Sequence, residues 1–363
     1  MRNDEPDPIE DVVVKDKIVQ QTDQDASVSR MSAVDVGYLN DAFAQHFAGE
    51  RTRRFPIINR GQKPSSSPRK LGPLTGEAGT YVRTTAIDTL VDKFLAKNPS
   101  EKKQIISLGA GSDTRFFRLM ERQPRPSLVY HELDFGSNTH HKIAAIARSS
   151  HLTSYISPPL LFAIDDTALY SPTFNIHPID LRNLQPGADG APLALDIKNV
   201  DPTLPTLLLS ECCLIYLPPA AADMVVNYFS SCLFPRTTPL ALLLYEPINP
   251  YDSFGKVMVS NLASRGIVLQ TLHKYSSLQA QKERLRALGF ASGQRAADVD
   301  YIWEHWVPER EKERVGGLEM LDEVEEWRML ARHYCVCWGW RDGDDEETGK
   351  GDVWELWKDL RSQ

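Results

Sequence analysis

Residues 104–119 read QIISLGAGSDTRFFRL, an apolar run that breaks at Gly109-Ala110-Gly111 and passes at once into a helical pattern. Five consecutive positions without a charge suit a buried strand. The two glycines let the backbone turn tightly and approach a ligand closely, in the crevice where open α/β sheets bind small molecules. Strands and helices alternate downstream, the signature of a mostly parallel sheet covered on both faces. The strands are predicted at QIISL, SLVYHEL, FNIHPI, TLLLS, LALLLYE and HYCVCWGW, with helices between them.

A dinucleotide-binding turn favours a third glycine where helix and pyrophosphate crowd together, and this chain has Thr114 there. A shorter G-x-G suits a ligand without phosphates, and S-adenosylmethionine, with its zwitterionic methionine end, is one. About twenty residues on, HELDF carries Glu132 and Asp134 at the end of the second strand. That spacing places a carboxylate on ribose hydroxyls, and Asp134 is the residue chosen for it. The third strand ends on Asp180, placed to accept from an exocyclic amine, and the fourth on Glu211. Four successive strands thus each deliver a glycine turn or an acid to one edge. The competing reading, that the acids merely cap helices, loses force beside the glycine turn.

Outward from this core the chain is less regular. Residues 1–29 are acidic and poor in aromatics and are expected to form a mobile tail, with order beginning near Arg30. RMSAVDVGYLNDAFAQHFAG has helical spacing, GQKPSSSPRKLGP reads as a basic loop, and GTYVRTTAIDTLVDKFLAKNP as an amphipathic helix. One domain is expected over 30–340, followed at 341–363 by a polar extension with a short helix at DVWELWKDL. EKERVGGLEMLDEVEEW alternates charge and reads as a solvated helical face.

Net charge of −8 argues against nucleic acid as the main partner. No stretch approaches the roughly 20 apolar residues of a membrane span, and the N-terminus lacks the apolar segment of a signal peptide. A cytoplasmic monomer is the expectation. Five cysteines do not make a disulfide framework, and the Cys335/Cys337 pair lacks a second pair with ligand spacing, so no metal is expected. His140 and His141 read as surface residues. Trp303, Trp306, Trp327, Trp338 and Trp340 read as core and lid packing.

Ten blocks, in order over roughly residues 25–340, resemble the leucine carboxyl methyltransferase family. They are GYLNDAFAQHF, FPIINRG, YVRTTAID, ISLGAGSDTRFFRL, HELDF, IDLRNL, LPTLLLSECCLIYL, YEPINPYDSFGKVMVSNL, SLQAQKERL and LDEVEEWRMLARHYCVCW. The resemblance implies a class I methyltransferase fold: α/β, Rossmann-like, with a mostly parallel seven-stranded sheet and added helical lid elements. It implies S-adenosylmethionine as cofactor. The implied acceptor is the C-terminal leucine carboxylate of the type 2A protein phosphatase catalytic subunit, an ester that would regulate holoenzyme assembly. Implied cofactor contacts are Gly109 and Gly111 at the turn, Asp134 on ribose, Asp180 and Leu181 at adenine, Glu211 beside the methionine moiety, and Arg83 and Arg30 toward the cofactor carboxylate. Arg30 departs from a lysine in some relatives, and the segment between INRG and YVR is longer than in animal relatives.

A C-terminal carboxylate has an ordinary pKa of roughly 3.3–3.7 and needs no general base at pH 7. Arg83 and Tyr216 are the candidate orienters of that carboxylate. The rival readings are a relative acting on a small-molecule acceptor and a non-catalytic phosphatase-binding protein.

Overall fold

The structure, a computed structural model, describes residues 8–48, 74–122, 127–156, 161–162, 166–185, 197–318, 324–343 and 353–363. In chain order the elements begin with α1 (Pro8–Val36), α2 (Ala44–Phe47), α3 (Leu74–Ala96), β1 (Lys103–Leu108), α4 (Arg115–Arg122) and β2 (Leu128–Asp134). They continue with α5 (Gly136–Ala147), α6 (Ser150–Thr153), β3 (Leu161–Phe162), β4 (Leu169–Tyr170), β5 (Phe174–Pro178), β6 (Thr206–Glu211) and α7 (Pro219–Asn227). The last are β7 (Leu240–Pro247), α8 (Ser253–Ala263), α9 (Leu278–Ala287), β8 (Gly293–Asp298), α10 (Val299–Trp306), α11 (Glu309–Gly316), α12 (Val324–Ala331), β9 (Tyr334–Arg341) and α13 (Glu355–Lys358).

The sheet runs β3-β4-β5-β2-β1-β6-β7-β9-β8. Strands β5, β2, β1, β6 and β7 are parallel, and β9 enters antiparallel between β7 and β8. The expected seven strands are therefore present as β5 through β8 in that order, with the short β3–β4 hairpin added at one edge to make nine. Every residue of β1, β2 and β7 is buried, the reason these strands read as near-continuous apolar runs. Successive residues point to opposite faces, so Ile105 packs with α3 and α4 residues such as Leu90 and Phe116, while Ile106 packs with α7 residues such as Val225. Strand β8, GQRAAD, escaped the sequence reading because it is an edge strand with only Ala296 and Ala297 buried.

Strand order reverses at β1, and the register aligns the C-terminal ends: Leu108 pairs with Leu133 and Ser210, Asp134 with Pro178, and Glu211 with Tyr245. Gly109, Asp134, Asp180, Glu211 and Tyr245 consequently share one edge, at the topological switch point.

Three expectations are corrected. Residues 8–29, taken as a mobile tail, are the greater part of α1, and order begins well before Arg30. The helix forms because Ala33 buries against the α3 core and because polar residues of α1 find partners on several other segments, among them Arg182, Ser112, Ser137 and Arg265. The C-terminal segment is docked rather than a polar extension. Val353, Trp354 and Trp357 are buried, with Trp354 stacked on Phe94 of α3 at 4.9 Å and Trp357 Nε1 donating to Leu90 O at 2.9 Å. The stretch read as one solvated helical face is two helices, α11 and α12, and it turns Val315 and Trp327 inward. FPIINRG and most of the 62–79 insertion lie outside the described residues, as does most of the acidic loop before α13.

Replacing Trp357 with alanine removes a fully buried indole and its hydrogen bond to the Leu90 carbonyl. The expected loss is about 3–5 kcal/mol in urea unfolding. A loss under about 1 kcal/mol would show that the C-terminal segment is peripheral to the core.

Candidate functional site

A cavity of about 690 Å³ opens over the switch point. Its wall includes all nine residues named from the sequence: Arg30, Arg83, Gly109, Gly111, Asp134, Asp180, Leu181, Glu211 and Tyr216. The size suits a nucleoside-containing ligand with room beside it.

The turn after β1 explains its glycines. Gly109 has φ +62° and Gly111 φ +45°, the left-handed region that disfavours side chains. A Cβ at Gly109 would lie 2.4 Å from Cys213 Sγ, and one at Gly111 would lie 2.2 Å from Asp23 Oδ1. Asp134 fastens the turn from β2: the Gly111 N–H donates to its Oδ2 at 2.7 Å, and the Phe135 N–H to its Oδ1 at 2.7 Å. Burial pushes the Asp134 carboxyl up to about 6, against the pull of these backbone donors. Cys212, at the end of β6, also has positive φ (+47°), backbone strain at the same edge.

Asp180 caps the short 3₁₀ turn Leu181–Asn183 by accepting from Arg182 N at 3.0 Å. Arg182 Nε also donates to Asp180, at 2.9 Å, while its η nitrogens hold Asp16 of α1 at 3.0 and 2.6 Å. Sequence reasoning named Asp180 and Leu181 but missed this arginine bridge.

The end of the cavity beside Glu211 is built on charge. Glu211 accepts from Arg83 Nε at 2.8 Å and pairs with Arg115 Nη1 at 2.7 Å. Arg115, wholly buried, also meets Asp113 at 2.5 Å and Asp88 at 3.0 Å. Asp88 in turn binds Arg118, and Asp41 gathers Arg30 (2.9 Å), Thr114 Oγ1 (2.6 Å) and Arg118 (3.6 Å). Burial alone would raise Glu211, but Arg115 and Arg83 hold it below the ordinary glutamate range. Arg83 itself is raised, its desolvation outweighed by Glu211. Arg83 lies 4.8 Å over the Tyr245 ring, which stacks on Tyr334 at 5.5 Å.

Tyr216 reaches the cavity from a 3₁₀ turn after β6, with its hydroxyl raised chiefly by burial. His140 and His141 are exposed on α5, away from the cavity wall, as their reading expected. Trp327 is buried and joins the wall together with Val299, Leu330, Ala331 and Tyr334, an apolar stretch the sequence did not assign to the site. Of the α1 residues in the wall, sequence reasoning named only Arg30; among those missed, Asp16, Val19, Gln20 and Asp23 have the i, i+3, i+4, i+7 spacing that marks one helix face.

The residues present fit S-adenosylmethionine. The turn is a cradle that a Cβ would fill, Asp134 and Asp180 bring carboxylate acceptors to the same cavity, and Arg83 supplies a guanidinium for a carboxylate. Strand order, glycine turn and row of acids together define a class I S-adenosylmethionine-dependent methyltransferase. The profile described as "Leucine carboxyl methyltransferase" matches residues 18–230. "Leucine carboxyl methyltransferase 1" of Aspergillus fumigatus is 52% identical over 97% of this chain and 89% of that protein. The Emericella nidulans protein of that name is 53% identical over 93% and 89%, and the Arabidopsis thaliana homolog 36% over 89% and 89%. The chain belongs to the leucine carboxyl methyltransferase family.

The raised Asp134 carboxyl gives a pH test. A hydroxyl donating to it favours the anion, so cofactor affinity is expected to fall as pH drops through about 6. In the ligand-free protein the sign is opposite. The folded chain holds this proton more tightly than the unfolded chain, so the group's stabilisation is full below the ordinary aspartate value of about 3.9 and is lost as pH rises through about 6. Titration calorimetry from pH 5 to 8 checks the affinity slope, and Asp134→Asn should flatten it. An unchanged slope in that variant would assign the titration to another group.

Proposed function

We propose that this protein methylates the α-carboxylate of the C-terminal leucine of a type 2A protein phosphatase catalytic subunit, acting in the cytoplasm. The observation that carries the reading is Arg83. Its Nε is committed to Glu211, and its guanidinium lines the same cavity as the apolar residues Val299, Trp327, Leu330 and Ala331. A cation beside an apolar surface suits a terminal leucine, whose side chain contributes about 1.5–3 kcal/mol on burial.

The site residues take these roles. Gly109 and Gly111 let the backbone close on the cofactor, Asp134 accepts from ribose, and Asp180 and Leu181 meet the adenine edge. Glu211 holds Arg83 in place, Asp41 holds Arg30, and both arginines line the cavity where the cofactor carboxylate would sit. Tyr216 is a second orienter of the acceptor. When bound, the cofactor supplies a methyl group activated on a sulfonium.

The acceptor carboxylate is an anion at pH 7, so no residue of the site need take a proton from it. Arg83 and Tyr216 would orient it toward the methyl group that a bound cofactor would supply. Opposite charges are neutralised in this step, so a site that excludes water and aligns oxygen, carbon and sulfur supplies most of the rate. A single guanidinium orients the oxygen without fully quenching it, since stronger ground-state stabilisation of the anion would slow the attack.

Incubation with methyl-labelled cofactor and the phosphatase catalytic subunit, with and without its terminal leucine, tests the reading. Base-labile label that requires the leucine is the expected result. Label on small carboxylic acids but none on the phosphatase would overturn the acceptor assignment while leaving the methyltransferase.

A further inference from the structure

Three tyrosines line the cavity, Tyr216, Tyr245 and Tyr334. Strand order fixes where the last two stand. Along the edge of the sheet come Asp180 after β5, Asp134 on β2, the glycine turn after β1, Glu211 on β6, Tyr245 on β7 and Tyr334 on β9. Tyr334 is therefore two strands beyond Glu211, roughly 10 Å farther from the glycine turn at ordinary strand spacing. It lies on the side of the acid row away from Asp134 and Asp180.

Register shows that its ring faces the same way as the rest of the row. Glu211 pairs with Tyr245, Tyr245 with Val336, and Tyr334 stands two residues from Val336, so all four share one face of the sheet. The Tyr245 and Tyr334 rings stack at 5.5 Å and 14°, and Arg83 of α3 lies 4.8 Å over the former. Leu330 and Ala331, at the end of α12, line the cavity just ahead of Tyr334 in the chain.

The hydroxyls of Tyr245 and Tyr334 have no hydrogen-bond partner among the described residues, and neither is sealed in the core. Tyr245, only 6% exposed, spends its ring on Arg83. Tyr334 is within electrostatic reach of both Arg83 and Tyr216. Burial, and then Cys212, raises its hydroxyl, so it keeps its proton at neutral pH and is a donor in search of an acceptor.

We propose that Tyr334 binds the acceptor: its hydroxyl donates a hydrogen bond to the acceptor carboxylate, while Leu330 and Ala331 ahead of it hold the apolar side chain. One junction, from α12 into β9, then reads both halves of an apolar C-terminal residue. A neutral phenol also suits the chemistry better than another guanidinium. It orients the oxygen while stabilising the anion less, and ground-state stabilisation lost on the way to the transition state slows transfer. The inference rests on the carboxylate-acceptor reading of the site.

Tyr334→Phe removes the hydroxyl and keeps the ring and its stack. In methyl-transfer kinetics with the phosphatase catalytic subunit, the KM for that subunit should rise roughly tenfold. The loss should fall on KM rather than kcat, because the carboxylate sheds its charge in the transition state and needs the donor less there. S-adenosylhomocysteine affinity, read by calorimetry, should not change. An unchanged KM would overturn the proposal, and so would an equal loss of S-adenosylhomocysteine affinity, which would make Tyr334 a wall of the cofactor site. KM does not depend on the folded fraction, so a poorly folding variant is still read. Failure of the wild-type protein to methylate the subunit would instead overturn the acceptor reading, and this inference with it.

Discussion

The buried guanidinium of Arg115 is the contact on which the site depends. It touches Asp88 of α3, Asp113 of the glycine turn and Glu211 at the end of β6, joining three separate segments at one point. Around it, Arg30, Arg83 and Arg118 alternate with Asp41 and the same acids, so that four arginines face four carboxylates. Removing any one partner would leave a neighbour charged and desolvated, at a cost of about 3–5 kcal/mol. Such a network adds little net stability over a well-packed apolar core, and its value here is placement. Glu211 cannot move without Arg115, nor Arg83 without Glu211.

Placement of this kind suits the chemistry. A carboxylate acceptor already ionised at neutral pH needs no proton relay, so selection acts on geometry and on water exclusion. The aromatic floor of Tyr245 and Tyr334 beneath Arg83 gives that guanidinium one orientation without a further acid to compete for it. Helix α1 completes the enclosure by reaching the turn after β5, the glycine turn and the segment after α8 through Arg182, Ser112 and Arg265 respectively.

Much of this was legible in the chain. The break from apolar run to Gly109-Ala110-Gly111, and acids at the ends of three later strands, follow from strand period and turn chemistry alone, and all nine named residues line the cavity. What stayed hidden has physical reasons. Helix α1 has almost no apolar asymmetry, because its inward face carries Asp16, Gln20 and Asp23 for polar partners distant in sequence, so its composition imitates a free tail. Strand β8 lacks branched and aromatic residues because it is an edge. Trp354 and Trp357 stand among charged residues and reveal their burial only against α3.

The central claim is that the charge network, rather than direct contact alone, sets the cofactor site. Asp88 tests it, since this carboxylate binds Arg115 and Arg118 and is absent from the cavity wall. Titration of the Asp88→Asn protein with S-adenosylhomocysteine, at a temperature where it is folded, should show affinity lowered by roughly tenfold or more as Arg115 loses one of its three acids. Wild-type affinity in a folded Asp88→Asn protein would contradict the account.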